Sequence, residues 1–505
     1  MDSTATVTHE TVPGSLGSAE IYENSTALGF LQRLHNRVES GVISFFLWFD
    51  QSFRCSFVGT VLVSVKEALE RWVPSSICAR VIKWVLSVCL LPSDSAFGEG
   101  TLIGLSLAIG IFLPTAVQMI CFAAVVFLLL WRRTVKYSEP ENKVLPNLPF
   151  TFCLPLIILF LFVVGATIAS VVPADSFKNL VFWCFSGLAF LFAFDISFKG
   201  GEENIIWPVL AGASLSSLLG IYQYFSGRYT PEAWVDPKFQ DELVRIVGTF
   251  TNPNYFAEML GLTLPLALAL LIRNKDIRDK GIMLVYAGLQ AIALIFTWSR
   301  GAWLGFLASF AIMAILFDKR LLVVGLVAVV VIVALAPPII LERFLSSFSL
   351  EDSSNAYRVS VWRGSWALLK DNLFRGIGLG AKAFSQLYPE YMIIQTPSFH
   401  SHNLYIQIII EIGLFGFIAL AWFLIVNIWH WLGALRITGG KGLERWKQTA
   451  ILVACMSAIA GNLIQGIIEY TWYNPQVMLV FWAWLGVSTG VASSLKSARG
   501  DGIEL

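Results

Sequence analysis

The 505-residue chain reads as an all-α polytopic membrane protein of about twelve transmembrane helices, and three observations lead there. Hydrophobic residues make up 56% of it against 14% charged, and the mean hydropathy is +0.70, well above ordinary soluble domains. Apolar runs close to the ~20 residues needed to cross a ~30 Å hydrocarbon layer recur along the chain. The short connections between these runs alternate between Lys/Arg-rich and Lys/Arg-poor. A net charge of +1 offers no basic field for a nucleic-acid partner.

Taken in order, residues 1–25 are rich in Ser, Thr and Glu and predict a disordered cytoplasmic tail without the apolar core of a signal peptide. Residues 26–96 hold shorter apolar stretches broken by Arg33, Arg54, Lys66, Arg71, Arg80 and Lys83, the pattern of amphipathic helices on the inner leaflet. A span near 41–65 would have to take Asp50 and Arg54 into hydrocarbon. Spans one to nine occupy 97–339, at 97–113, 114–131, 150–172, 177–197, 204–225, 254–272, 281–298, 300–318 and 320–339. A loop over 340–402 follows, then spans ten to twelve at 403–431, 448–469 and 475–494, and a tail over 495–505.

The connections "WRRTVK", "FKGGEEN", "RNKDIRDKG", "FDKR" and "RITGGKGLERWK", with the tail "LKSARG", hold most of the Lys and Arg of the short loops. The positive-inside rule therefore puts them, and both termini, in the cytoplasm and makes 340–402 an extracytoplasmic loop between spans nine and ten. The seven cysteines (55, 78, 89, 121, 153, 184 and 455) form no CxxC pair and lie mostly in apolar runs, which predicts buried structural thiols.

On this topology the polar residues gather at one end. Arg228, Trp234, Asp236, Arg245, Asn252 and Asn254 lie in or beside the loop after span five, with Glu258 one turn into the next helix. Arg300 stands in the tight turn "TWSRGAW". In "SFHSHNLYIQIIIEIGLFGF", His400 and His402 precede span ten, and Asn403, Gln407 and Glu411 recur every four residues inside it. Asn462, Gln465 and Glu469 share a face at the outer end of span eleven. Singly, each has a plain reading: amides glue helices, an arginine snorkels, a loop histidine faces water. Together they predict a cavity opening outward, because ionisable groups in hydrocarbon face a bundle interior or water.

Arginine forks suit phosphate oxygens, and an imidazole takes a proton near neutral pH. With no nucleotide site, that set suits displacement at a sugar carbon carrying a diphosphate: arginines meet the growing charge while the histidine deprotonates the incoming hydroxyl. The glycine-rich "GIGLGAK" (376–382) lacks the preceding buried parallel strand of a phosphate loop and reads as turn chemistry. His400 and His402 alone have poor metal-ligand spacing, so neither metal nor cofactor is expected.

Four segments, "VGTFTNPNYFAEML", "TWSRGAWLG", "RVSVWRGSWALLKDNLFRGIGLGAKAFSQLYPEY" and "HSHNLYIQIIIEIGLFGF", resemble, in order, the O-antigen ligase and polymerase superfamily of bacterial envelope glycan enzymes. The similarity runs over roughly 200 to 494. It implies a GT-C-type glycosyltransferase of the bacterial cytoplasmic (inner) membrane with an outward-facing site. Such an enzyme joins a glycan from undecaprenyl diphosphate to a glycan, lipid or protein acceptor, without metal or nucleotide sugar. Carried over, the resemblance makes His402 the base and gives the diphosphate to Arg300 and to Arg358 or Arg363. Arg245, Asn254, His400, Asn403, Tyr405, Glu411 and Glu469 are supporting candidates. Glu411, nine residues and ~13 Å along a helix from His402, is expected to tie helices together rather than touch substrate.

"EAWVDPKF", "LEDSSNAYRVSVW" and "LYPEY" also look like a subgroup of that superfamily assigned to bicarbonate transport. That makes inorganic-carbon or small-anion transport the alternative function. The subgroup does not keep the histidine motif, which is intact here, and transport asks for discontinuous helices and midplane polar sites.

Overall fold

In the computed structural model, residues 96–135, 148–227, 244–317, 319–335, 353–393, 396–437 and 443–498 are described, and among them there is no strand. The expected tail 1–25, nearly all of 26–96, Cys55, Cys78, Cys89, Arg228, Trp234, Asp236, the stretch 340–352 and residues 499–505 lie outside the described residues. The helices are α1 (Ala96–Gly110), α2 (Thr115–Val135), α3 (Phe150–Ile168), α4 (Pro173–Phe198), α5 (Glu202–Ser226), α6 (Pro253–Arg273) and α7 (Ile277–Phe296). Then come α8 (Arg300–Phe317), α9 (Arg320–Leu335), α10 (Ser353–Asp371), α11 (Ala381–Leu387), a 3-10 turn (Tyr388–Tyr391), α12 (Leu404–Ile437), α13 (Leu443–Gln465) and α14 (Pro475–Ser497).

Nine of the described helices are long and apolar enough to cross a bilayer. The expected count was twelve. The other three are shorter: α1 has 15 residues, α9 has 16, and the apolar part of α2 stops at Leu130. Several of the long helices start on a local signal. Asn252 and Asn474 each accept a backbone N–H two residues on, at 2.8 Å, and Pro253 and Pro475 take the first helical position, where a missing N–H costs nothing.

The bundle is organised around α14, which is buried along almost all its length. Its Trp482 ring meets Trp183, Phe190 and Phe423, from α4 and α12. Amides stitch the helices where no water competes: Gln290 of α7 bridges Ser214 of α5 and Thr263 of α6, both at 2.9 Å. The backbones of α8 and α13 approach so closely that a Cβ on Gly461 would stand 2.6 Å from the Gly305 carbonyl oxygen. Large apolar side chains such as Ile120, Phe127, Leu161, Ile168, Phe225 and Leu284 are exposed instead of buried, as lipid-facing surface requires. The expectation of buried cysteines fails for the same reason. Of the four described cysteines, Cys455 is buried, Cys121 and Cys153 are half-buried and Cys184 is exposed, because the apolar medium around a membrane helix includes lipid as well as protein.

One helix is broken. Gly413 inside α12 has φ 74° and ψ 170°, so the first nine residues of α12 change direction before the helix continues. Leu404 joins Gly466, just past α13, by a 2.7 Å backbone hydrogen bond, while Leu414 donates to Leu373, just past the end of α10. The segment 404–412 therefore crosses over one end of the bundle. The backbone of 373–378 takes up the groups the break releases: Ile377 N–H bonds Ile410 O at 2.9 Å and Gly378 N–H bonds Glu411 O at 3.2 Å. The "GIGLGAK" stretch is thus a plug for a helix break. On top, α10, α11 and the 3-10 turn share a small core with Ile410 built on Val361, Leu368, Ile377, Phe384 and Tyr388.

Gly413 has no tolerable substitute. Alanine there would have to hold a left-handed φ, costing ~1–2 kcal/mol, and its Cβ would fall 2.4 Å from the Phe374 carbonyl oxygen. Gly413→Ala should lower the melting temperature of the detergent-solubilised protein by several degrees, whereas Gly281→Ala, with nothing within 4 Å, should leave it within a degree or so. Equal melting curves would contradict this account of the break.

Candidate functional site

Six chain segments converge at the end of the bundle crossed by residues 404–412, and a carboxylate holds them. Glu469 lies in the turns between α13 and α14, 4% exposed. Its Oε1 is ion-paired with Arg358 of α10 and accepts from Asn254 Nδ2 at the start of α6 (3.2 Å). Its Oε2 faces His402 Nδ1 at 3.3 Å. Arg245 extends the cluster, donating from Nη2 to Asn254 Oδ1 (2.9 Å) and from Nε to Thr297 O (3.0 Å), which fastens the α7–α8 turn to the start of α6. Arg300 opens α8 and is 7% exposed. The next residue, Gly301, packs against Ile468 and Glu469, so Arg300 enters at the same junction.

His402 is held from several sides. Its carbonyl accepts from Trp362 Nε1 at 3.1 Å, its amide donates to His400 Nδ1 at 3.2 Å, and the Tyr357 ring meets its imidazole edge-on at 5.7 Å. His402 (φ 50°) and Trp298 (φ 54°) are the two non-glycine residues with positive φ among the described residues, and both belong to this end of the bundle. Strained backbone of this kind persists where surrounding contacts over-determine it. With Glu469 on Nδ1, the ring nitrogen left to face a ligand is Nε2.

Electrostatics follow from enclosure and pairing. Burial opposes ionisation of Glu469, but Arg358 and the His402 hydrogen bond override it and hold the carboxyl below the usual carboxylate range. His400 sits among Tyr473 (ring centroids 4.8 Å apart), Tyr470 (5.9 Å) and His402 (4.2 Å). Burial and the adjoining His402 ring push its imidazole down to about 3, so it is neutral at physiological pH. Among the described residues no three His, Cys, Asp or Glu side chains are placed so that they could share a metal ion.

Of the residues singled out from sequence, the structure brings together Arg245, Asn254, Arg358, His400, His402 and Glu469, with Arg300 at the same junction. Arg363 is not among them. Five residues on from Arg358 it is turned by about 140°, onto the exposed face of α10. Asn403 and Tyr405 instead fasten the start of α12 to the chain beyond it, donating to Ile467 O (2.6 Å) and Leu463 O (2.7 Å). Glu411 accepts from Gln407 Nε2 (2.9 Å) and the Tyr470 hydroxyl (3.2 Å), and Gln407 Oε1 in turn accepts from Ser401 N–H (2.8 Å). Glu469 does not continue the helical face of Asn462 and Gln465: α13 ends at Gln465 and the chain turns.

Sequence reading passed over Gln223, whose Oε1 accepts from the amides of Val247 and Gly248 while its Nε2 donates to Gly248 O. This one side chain fixes the strand of loop carrying Arg245. Its only sequence signal was an amide inside an apolar run. The tyrosine wall was also missed, since Tyr255, Tyr357, Tyr470 and Tyr473 come from distant segments.

Comparison with known proteins gives one family. The model of the O-antigen ligase family matches residues 282–421, just over a quarter of the chain. The match runs from within α7 into α12 and takes in Arg300, Arg358, Arg363, His400 and His402. No curated protein matches the chain. The chain is a multi-pass helical membrane protein whose residues 282–421 are similar to the O-antigen ligase family.

Proposed function

We propose that this protein transfers a glycan from a polyprenyl diphosphate carrier to a hydroxyl acceptor at the extracytoplasmic face of a bacterial cytoplasmic membrane. The observation that carries the reading is the triad His402–Glu469–Arg358, a potential base, the carboxylate that orients it and an arginine, in one partly open site. His402 is 21% exposed on its side chain, enough for a ligand to reach the ring.

The chemistry is a displacement at the sugar carbon bearing the diphosphate. His402 Nδ1–H donates to Glu469, so Nε2 carries the lone pair that accepts the proton of the acceptor hydroxyl. The hydroxyl oxygen bonds to the sugar carbon as the carbon–oxygen bond to the diphosphate breaks, and the electron pair leaves with the diphosphate. We assign Arg300 and Arg358 to that growing charge. Glu469 and Ser354 occupy two of the five guanidinium donors of Arg358. Arg245, Asn254 and Glu469 are positioning groups, and Arg363 has no part in the site. Basic connections at the opposite end support an outward-facing site and cytoplasmic termini.

Anion transport is the weaker reading. The break in α12 at Gly413 is the kind of discontinuity a transporter uses, but the backbone of 373–378 fills it.

His402→Ala should abolish surface polymer and let lipid-linked glycan accumulate, and Arg300→Ala or Arg358→Ala should reduce transfer by at least ~10²-fold, the usual cost of losing one charge-stabilising donor. Arg363→Ala should stay within about twofold of wild type. Bicarbonate uptake lost with polysaccharide profiles unchanged would sink the reading.

Acid should weaken the fold by a predictable route. The unfolded chain protonates His400 near its ordinary ~6.5 whereas the folded chain resists down to about 3, so stability rises with pH across that window. Depression of Glu469 acts the same way lower down: its contribution is full above the ordinary ~4.3 and is lost as pH falls through the folded value. Melting temperature should therefore fall as pH drops from about 6.5, with a shallower fall in His400→Asn. A variant curve parallel to wild type between pH 6.5 and 5 would refute the assignment.

A further inference from the structure

We propose that His400 is a positioning residue: by accepting the backbone N–H of His402 on its Nδ1, it holds His402 in the left-handed conformation that aims the second ring at Glu469. This rests on the assignment of His402 as base and adds a role for the first histidine of "HSHN".

A left-handed backbone costs a non-glycine residue ~1–2 kcal/mol, and His402 has no Asn- or Asp-like side chain of its own to offset it. The compensation comes from the neighbours. Ser398 Oγ bonds His400 O (2.7 Å), Ser401 Oγ bonds Asn403 O (2.8 Å), Ser401 N–H bonds Gln407 Oε1 (2.8 Å), and Trp362 bonds His402 O. The His402 amide goes to His400 Nδ1 at 3.2 Å. A side-chain acceptor receiving the amide two residues on is the geometry of an Asx turn, with imidazole nitrogen in place of a carbonyl oxygen.

The role needs a neutral ring, because imidazolium has no lone pair to offer. Enclosure by Tyr470, Tyr473 and the His402 ring supplies that neutrality and fixes the ring plane. The charged groups around it are Glu469 and Arg358, already paired with each other, and beside the two tyrosines the further titratable group against it is the His402 ring. The two histidines thus divide the work: one is an acceptor kept neutral, the other is set against a carboxylate and partly open.

The test is amide hydrogen exchange on the full-length, detergent-solubilised protein, read at the His402 amide within the peptide 398–405, together with surface polysaccharide in cells carrying each variant. His400→Ala should raise exchange at that amide by at least ~10-fold and cut polymer by a similar factor. His400→Asn, whose Oδ1 can accept the same N–H, should restore both, and His400→Gln, one methylene longer, should not. Unchanged exchange in His400→Ala, no rescue by asparagine, or slowed protection with full polymer would each overturn the proposal. Because the exchange readout needs no substrate, a failure of the base assignment shows separately, as normal polymer in His402→Ala. Should His400→Ala fail to fold, the asparagine and glutamine variants carry the comparison alone.

Discussion

A buried carboxylate in a helical bundle must be compensated, and the compensation of Glu469 organises this molecule. Taking an ionised group out of water costs several kcal/mol unless charge and hydrogen bonds replace the lost hydration. Arg358, Asn254 and His402 provide them, and each comes from a different part of the chain. The requirement therefore fastens α10, the start of α6 and the turn before α12 to the connection between α13 and α14. Removing Glu469 would take the shared acceptor from Arg358 and Asn254 together, so the ion pair is a fastening for the assembly as much as a property of the site.

The second constraint is the broken helix. Had α12 continued straight through Gly413, residues 398–403 would stand away from the bundle end. The turn at Gly413 lays residues 404–412 across that end and brings His402 to Glu469. A break exposes backbone N–H and C=O groups, which an apolar setting does not tolerate unpaired. The segment 373–378 satisfies them, and in doing so ties the end of α10, the helix that carries Arg358, to the break. Helix break, plug and ion pair are one mechanical unit.

Around the site the polar side chains serve geometry first. Gln223 and Arg245 hold loop backbone, Asn403 and Tyr405 hold the entry to α12, and Glu411 gathers Gln407 and Tyr470 beneath the histidines. This density of ties holds His402, Arg245 and Arg358 in one arrangement, the preorganisation that the proposed transfer would require.

Much of this was legible in the sequence. Hydrophobic run length is a property of the chain alone, so most helices fall where the apolar windows put them, and "TNPN" and "YNPQ" fix two starts by cap chemistry. That His402, Arg300, Arg245, Asn254 and Glu469 would gather at one end was also readable, because polar groups in hydrocarbon are costly wherever the fold places them. Which of those groups touch was not. Arg358 and Arg363 are the same residue type on the same helix, and only rotation about that helix, fixed by packing of Val361 and Leu368 on Ile410, turns one toward Glu469 and the other to solvent. Nor could spacing reveal that α13 stops at Gln465 or that α12 turns at Gly413, since both depend on backbone hydrogen bonds to residues far away in the chain. Composition and local propensity determined which segments are helices and which residues are candidates; long-range pairing of backbone and charge decided how they meet.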